Sequence, residues 1–470
     1  MPPYQEQESN AMPYNRETAG KGGHSDFIRN PDVQKFLGDC NYLREPTDAE
    51  AKELAAHFMP APKGQFANLP RYVVASDASK SDTPISDKLP STQIGFLKVS
   101  HVLVDMEKYA NLTDPSNRFV DPFKVADMHR SASPVTFVMP GSNIRYRGID
   151  NVRDGFRRAL YDQLCIDRSE SQSGQVLARM LVAINGETLT LSANPCCGIK
   201  PGTTFDKNTL IKSCDCGAEI YVTDFLRLHE GISDFGDNAS AMTRMMNAVE
   251  HLLLAGFITQ VFEAQPEALS GIAFILDGPL GIFGEPAKLS QRLQALIYKV
   301  NMRLAEMQLQ PMLVIGLQKT GALMDHALLL KRFLPDGVLR IVDDEYRNKF
   351  ITGGSSPAAN FGNETYYGQD FLFKTESGRI FNFAIPYPFK DKTFGGGGSA
   401  FAKAKVQMSR YGTLVERACD LIRHFEMDLY DNSLVPVALA HRHASISLVP
   451  GGKMLDLLVR SGLGANKAQS

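Results

Sequence analysis

The sequence lacks the features of an exported or membrane-anchored chain. None of its 470 residues lies in an apolar run of membrane-spanning length, which is roughly 18 residues. The N-terminal residues MPPYQEQESNAMPYNRETAGKGGHSDF contain no apolar core of signal-peptide length. Seven cysteines, four of them between positions 196 and 216, do not have the distribution of a secreted disulfide framework. We therefore expect a cytoplasmic protein without a membrane partner.

The sequence also lacks a dominant charge. Fifty Lys and Arg oppose 52 Asp and Glu, which gives a net charge of −2. This balance does not exclude a nucleic-acid partner, because a basic patch can be confined to one face. The length predicts two or three domains, or one large domain with insertions.

Two short apolar runs each end on an aspartate. They are Tyr72–Ser79 (YVVASDAS) and Ile272–Leu280 (IAFILDGPL), and each has the composition of a buried strand. An aspartate there can simply cap the following turn. Two of them, Asp77 and Asp277, can meet if the strands are neighbours in one sheet, and they would then hold a hard divalent cation.

The order of predicted elements indicates the fold class. Antiparallel strands come first and strand–helix–strand units follow, which is the pattern of an α/β protein with a ribonuclease H-like mixed-sheet core flanked by helices. The predicted helices are Asp48–Phe58 with a capping box, Val152–Leu164, about 240–262, Ser290–Met307, Ala322–Phe333 and about 402–426. The other predicted strands are Thr92–Asp105 (one or two strands), Leu177–Leu191 (a strand or hairpin), Pro311–Gly316, and a hairpin of Phe371–Lys374 with Ile380–Ile385.

Further candidate residues lie near these strands. Glu250, in an apolar helix, is the first choice for a third acid, with Glu263 and Glu267 ranked second. Lys319 follows the third strand and could contact a phosphate, although a surface lysine is the alternative. His441, in a stretch that also contains His443, could ligate a metal or transfer a proton, although a core or surface histidine is the alternative.

The cysteines form two close pairs, Cys196-Cys197 and Cys214-x-Cys216. Their four thiolates predict a closed, structural zinc site, with His229 as a spare ligand and buried free thiols as the alternative. Two other runs receive simpler interpretations: the acidic triplet at 343–345 is predicted to be a solvated turn, and the glycine run at 395–398 a flexible loop.

With these residues in order, the chain resembles the NurA nuclease family. The matching segments are Asp77-Ala78-Ser79, Leu276-Asp277-Gly278-Pro279-Leu280, Gly316-Leu317-Gln318-Lys319-Thr320, Tyr366-Tyr367 and Ala440-His441. Ala78 stands where the family has Gly. The polar, Gly-rich residues 1–30 are predicted to be a disordered tail. The cysteine-bearing segment looks inserted, so the resemblance divides the rest into an N-terminal part of the nuclease core (31–150), an inserted zinc module (151–235) and a C-terminal part of the core (236–470).

The resemblance implies a Mn²⁺- or Mg²⁺-dependent deoxyribonuclease that acts as a homodimer on DNA. It also implies a partnership with a HerA-type hexameric ATPase in DNA end processing or antiviral defence. Asp77, Asp277, Glu250 and His441 would form the metal site, Lys319 would contact phosphate, and Tyr367 or Tyr366 would position the strand. The alternatives are a non-catalytic zinc-containing adaptor that binds DNA or a translocase, and a nuclease of the same fold acting on RNA or junctions.

Overall fold

The computed structural model describes residues 25–40, 46–64, 69–112, 132–167, 176–352, 362, 364–427, 430–446, 455 and 458–459. The chain divides into two compact units, Met1–Arg44 and Glu45–Ser470. The described part of the first unit contains helices α1 (Ser25–Arg29) and α2 (Pro31–Asp39), and Asn30 caps α2 by accepting from the Asp32 amide. Most of the predicted tail, residues 1–30, lies outside the described residues, and its end forms α1 rather than a disordered segment.

The second unit is built on a mixed sheet flanked by helices. Its strands are β1 (Met59–Pro60), β2 (Tyr72–Pro84), β3 (Gln93–Asp105), β4 (Ala132–Pro140), β5 (Thr188–Thr190), β6 (Thr204–Asp206), β7 (Ile211–Ser213), β8 (Glu219–Tyr221), β9 (Ile272–Asp277), β10 (Leu313–Gln318), β11 (Val338–Ile341), β12 (Gly368–Lys374), β13 (Ile380–Pro386), β14 (Glu426–Met427) and β15 (Tyr430–Leu434). Its helices are α3 (Asp48–Ala55), α4 (Met106–Ala110), α5 (Val152–Leu164), α6 (Leu177–Ala183), α7 (Ala239–Ala264), α8 (Lys288–Glu306), α9 (Ala322–Leu330), α10 (Asp344–Arg347), α11 (Gly398–Lys405), α12 (Leu414–Phe425) and α13 (Val435–Ala444).

Nine strands form the large sheet, in the order β1-β11-β12-β13-β10-β9-β2-β3-β4. Strands β2, β9 and β10 are parallel neighbours, and the remaining pairs are antiparallel. Helix α8 connects β9 to β10 as the crossover that parallel strands require. The predicted mixed sheet, with antiparallel strands first and a strand–helix–strand unit later, is confirmed.

Helices cover both faces of this sheet. On one face, apolar side chains of the strands pack with those of α5, α6, α7 and α8. On the other face they pack with α12 and α13. Helix α7 passes the length and composition test for a membrane span, but 61% of its most apolar window is buried inside the protein, as in a core helix.

Four sequence interpretations differ from the structure. Leu177–Leu191 is a helix followed by the short strand β5, because Leu177, Leu181 and their neighbours bury one helical face. The long helix predicted at 402–426 is broken into α11 and α12 by a 3₁₀ turn and by Gly412, whose φ is +53°. The glycine run includes a 3₁₀ turn and the start of α11. In the acidic triplet, Asp344 is half-buried and forms an ion pair with Lys405 at 2.8 Å.

Candidate metal centre

Asp77 and Asp277 lie side by side at the ends of two parallel strands. The β2–β9 register pairs residues up to the position just before each aspartate. Strand residues alternate between faces, and Ala75 and Ile275, two positions earlier, both pack beneath α12 and α13. Both carboxylates therefore point toward that same face of the sheet.

A tight turn fixes the backbone after Asp277. The amide of Gly278 donates to the Leu317 carbonyl oxygen on the adjacent strand at 2.9 Å. A Cβ at Gly316 would lie only 2.7 Å from the Gly278 carbonyl oxygen. The glycine in β10 thus permits a close approach that a larger residue would prevent, and this holds the end of β9 against β10.

His441 reaches the two aspartates from α13. Its Nδ1 lies 2.8 Å from Asp77 Oδ2, and one ligand atom from each of Asp77, Asp277 and His441 lies within 4.8 Å of the others. The hydroxyl of Ser79 also donates to the carbonyl oxygen of Ala444, so the C-terminal end of α13 is attached to β2 beside the site. The His441 side chain is 62% exposed and Asp77 only 8%, so the cluster opens to solvent on the histidine side.

Lys319 completes the charge arrangement. It follows β10, and its Nζ lies 2.6 Å from Asp277 Oδ2. About a quarter of the lysine side chain is exposed. Each carboxylate therefore has its own basic neighbour, His441 for Asp77 and Lys319 for Asp277.

The electrostatics of Asp77 favour a bound cation. Its pKa is raised, first by burial and second by the negative charge of Asp277, while His441 and Lys319 act in the opposite direction without cancelling the effect. A divalent cation between the carboxylates would remove their repulsion. The two carboxylate oxygens suit either Mn²⁺ or Mg²⁺, and an imidazole nitrogen would favour Mn²⁺ of the two.

A buried hydroxyl beside the carboxylates supports the same interpretation. Ser100 pairs directly with Asp77 across β2 and β3, and cross-strand partners share one face of the sheet. Its side chain is buried, and its Oγ has no hydrogen-bond partner in the described part of the chain. Buried polar groups without partners are uncommon. A water bound to a cation beside Asp77 would supply the Ser100 hydroxyl with a hydrogen-bond partner.

Glu250 lies on the other side of β2. It is buried on α7, and its Oε1 accepts a 2.9 Å hydrogen bond from Ser76, the neighbour of Asp77 that points to the α7 face. Its pKa is raised to about 8, first by burial and further by the charges of Asp77 and Asp277, so the side chain is largely protonated at neutral pH. Glu250 is not among the three clustered ligands. Its role as a third ligand stays a prediction.

The second-ranked acids lie at the wrong end of the strand. Glu263 and Glu267 are exposed and precede β9, whereas Asp277 is its last residue. Because the strand separates its two ends, neither glutamate is placed to join the cluster.

Tyr367 does not have the exposure that the sequence interpretation required. It is fully buried, its hydroxyl has no partner among the described residues, and burial with the charge of Glu250 raises its pKa well above 10. Its ring packs edge-on against His251 at 5.7 Å. Tyr366 is only partly buried and packs edge-on against the exposed Phe283. Of the two, only Tyr366 is placed to contact a ligand from solvent.

Sequence reasoning missed the two serines, Ser76 and Ser100. Both stand at buried strand positions, where polar residues are uncommon. The hydroxyl directly before Asp77 in the apolar run YVVASD was the available signal for Ser76. The signal for Ser100 is its register opposite Asp77, which only the paired strands reveal.

The four cysteines converge in a second cluster. Cys196 and Cys197 lie between β5 and β6, and Cys214 and Cys216 lie in the turn between β7 and β8. The Sγ separations are 3.6 Å for Cys197–Cys214 and 3.4 Å for Cys196–Cys216, and all four Sγ atoms lie within 4.8 Å of one another. Ligands about 2.3 Å from a tetrahedral zinc are separated by about 3.8 Å, so the thiols are close to the spacing that the ion requires.

Local turns present these thiols. The Cys214 amide donates to the Ala218 carbonyl oxygen at 2.8 Å, and Gly217 adopts a φ of +87° within the turn. The backbone amide of Cys216 lowers the pKa of Cys214 to about 7, which favours the thiolate that binds metal. The spare candidate His229 is buried elsewhere, with its Nδ1 3.8 Å from Asp224, and is not part of the cluster.

Comparison with solved structures finds similarity to a known nuclease structure. The chain is similar to the crystal structure of the NurA nuclease from Sulfolobus solfataricus, with 10% sequence identity, coverage of 95% of this chain and 96% of that chain, and a TM-score of 0.35. No family model matches the sequence, and no curated protein matches it.

Proposed function

We propose that the protein is a metal-dependent nuclease that hydrolyses phosphodiester bonds in DNA. The observation that carries this proposal is the meeting of Asp77 and Asp277, 200 positions apart in the sequence, with His441 in one cluster open to solvent. Holding the buried carboxylate of Asp77 next to that of Asp277 destabilises the charged form, and the raised pKa of Asp77 reflects this cost. Groups with perturbed pKa values are enriched at functional sites.

Each residue has a distinct task in this proposal. Asp77 and Asp277 would hold Mn²⁺ or Mg²⁺, which supplies an activated water and stabilises negative charge on the phosphate. Lys319, beside Asp277, would contact a non-bridging phosphate oxygen and stabilise the added charge of the transition state. His441 would either complete the metal shell or transfer a proton, since its exposed ring can exchange protons with solvent.

The finer parts of the proposal rest on separate support. The strand order β4-β3-β2-β9-β10, antiparallel and then parallel, supports a ribonuclease H-like core. The convergence of the four Sγ atoms, all within 4.8 Å of one another, supports a structural zinc ion. A HerA-type hexameric ATPase as partner, a homodimer and a role in DNA end processing or antiviral defence are supported by the motif resemblance alone. A cytoplasmic location is supported by the cysteine distribution.

A cleavage assay with matched variants tests the proposal. Labelled linear duplex DNA, single-stranded DNA and RNA are incubated with the purified protein and Mn²⁺, Mg²⁺ or EDTA. Asp77→Asn and Asp277→Asn should reduce metal-dependent cleavage of DNA by at least a hundredfold, because each removes a charged ligand. Asp150→Asn, which makes the same change at an exposed position, should cleave like the wild type.

Three results would contradict the proposal. Undiminished cleavage in both aspartate variants would remove these residues from the site. Cleavage of RNA in preference to DNA would change the substrate class. Wild-type protein that binds DNA but leaves it intact with every metal would favour the adaptor alternative.

A further inference from the structure

Helix α8 presents a row of basic side chains to solvent. Lys288, Arg292, Lys299 and Arg303 are all exposed. At 100° per residue they fall within about 60° of one another around the helix axis, and they extend along about 22 Å of it. The opposite side of α8 is apolar and packs into the core. The row is thus one continuous basic face.

This face forms one wall of a groove of about 630 Å³. The loop between α6 and β5 and the end of α7 form the rest of the groove. Arg292, Lys299, Arg303 and Lys390 line it together with one acid, Glu306, which gives a net charge of +3 in the lining. Arg303 and Glu306 form an exposed 2.9 Å ion pair, which a competing anion can replace at little cost.

The groove also contains apolar and aromatic surface between the cations. Phe262, Leu296, Tyr298 and Met302 contribute to its lining. The Lys299 ammonium lies 5.4 Å from the centre of the Phe262 ring. Aromatic surface interleaved with basic side chains suits a ligand with both phosphates and unstacked bases, because single strands bind through stacking as well as through charge. A duplex keeps its bases stacked inside and would use only the charges.

The basic row begins at the end of the sheet that carries the aspartates, but on the face opposite to their carboxylates. Helix α8 starts shortly after Asp277 in the chain and crosses back along the sheet, so Lys288 lies toward the end of the sheet that carries the aspartates. The Lys288 Nζ donates to the hydroxyl of Ser192, which lies in the segment that leads to the first cysteine pair. The segment that carries the cysteines therefore adjoins the start of the row.

We propose that this groove binds a single-stranded segment of the DNA substrate, with phosphates on the basic row and bases on the apolar lining. The inference rests on the proposed function for the identity of the ligand, but it concerns a binding surface that contains none of the metal-centre residues. It assigns to α8 a task beyond that of a crossover helix.

The test is equilibrium binding of fluorescent oligo-dT and of a duplex of equal length. The full chain carries Asp277→Asn in every sample to prevent cleavage, and no chelator is added, so that a metal at the cysteine cluster is retained. The groove variant is Arg292→Gln with Lys299→Gln and Arg303→Gln. Its matched control is Lys52→Gln with Lys108→Gln and Lys403→Gln, which removes the same charge from exposed positions elsewhere.

The groove variant should bind oligo-dT at least tenfold more weakly at moderate salt. Its plot of log affinity against log salt should also be shallower by about 2, because each lost phosphate contact removes about 0.7 from the slope for a single strand. The control should keep both the affinity and the slope.

Equal weakening in both triple variants, or none in the groove variant, would overturn the inference. A larger loss for duplex than for oligo-dT would also overturn it. Groove-dependent binding in a wild-type protein that never cleaves would leave the inference standing and refute only the nuclease proposal.

Discussion

Replacing Asp77 by asparagine should make the protein more stable without added metal and less responsive to metal. The substitution keeps the shape of the side chain but removes one of two negative charges whose oxygens lie within 4.8 Å of each other. At that separation the repulsion is about 3.5 kcal/mol for an effective dielectric constant of about 20, and about 1 kcal/mol in water.

Part of this gain is offset because the neutral amide of the Asp77→Asn variant would lose the charge attraction to His441. The raised pKa of Asp77 shows that the charged form is disfavoured after these attractions are included. We therefore expect a net stabilisation near neutral pH that is smaller than the roughly 3.5 kcal/mol of the full repulsion. For a chain of this length even that upper bound corresponds to a rise of the melting temperature of about 4 °C or less.

The assay is thermal unfolding of both proteins with and without Mn²⁺. At a hundredfold excess over the dissociation constant, a ligand bound only by the folded state stabilises it by about 2.7 kcal/mol. The wild type should show this gain, and Asp77→Asn should show little of it. A variant that melts below the wild type without metal, or that gains as much from Mn²⁺, would refute the reasoning.

Three further outcomes follow from the two clusters. Burial raises the pKa of Glu250 to about 8 in the folded protein, against an ordinary value of 4.5. Between these two pH values the folded protein keeps a proton on Glu250 that the unfolded chain has released. The free energy of unfolding should therefore fall by a few kcal/mol as the pH rises from about 4.5 to about 8. Denaturant titrations across pH should show a much smaller fall in Glu250→Gln, and an identical pH profile would exclude a buried, protonated Glu250. Lys319→Gln should reduce cleavage at least tenfold yet bind Mn²⁺ as tightly or more tightly, because the lysine competes for Asp277; calorimetry showing lost metal binding would contradict this. Cys216→Ser should lower the bound zinc measured by elemental analysis from about one ion per chain, whereas replacing the buried Cys419 should not.

Much of the candidate site could be predicted because its signals are local. A β-branched run that ends on an aspartate identifies both a buried strand and an unusual polar residue at its end, and this placed Asp77 and Asp277 correctly at neighbouring strand ends. The paired cysteines likewise indicated their own convergence. In both cases a few adjacent residues are enough to predict which side chains belong to the cluster.

The remainder depends on which face of the sheet a side chain points to. Glu250 was predicted as the third acid, and the structure places it on α7, on the face toward which Ser76 points; its role as a ligand stays a prediction. A shift of one position along a strand moves a side chain to the other face of the sheet. Helical periodicity alone does not determine which face of a sheet a helix covers. Tyr367 illustrates the same limit, since it is fully buried whereas its neighbour Tyr366 is only partly buried.

The extent of regular elements was also limited by tertiary context. The apolar spacing over 402–426 favoured one continuous helix, whereas the structure turns at Tyr411 and Gly412. Tyr411 is buried there, and its hydroxyl donates to the Lys405 carbonyl oxygen at the end of α11. The local preference for helix was overridden by burial of one aromatic ring.

The attachment of α13 beside β2 has a consequence for biosynthesis. The imidazole that contacts Asp77 is supplied 364 residues later in the chain. A nascent polypeptide still on the ribosome, or one cut short before α13, would have both aspartates in place and still lack this nitrogen donor. Competence for metal-dependent chemistry would thus appear only after α13 has been synthesised.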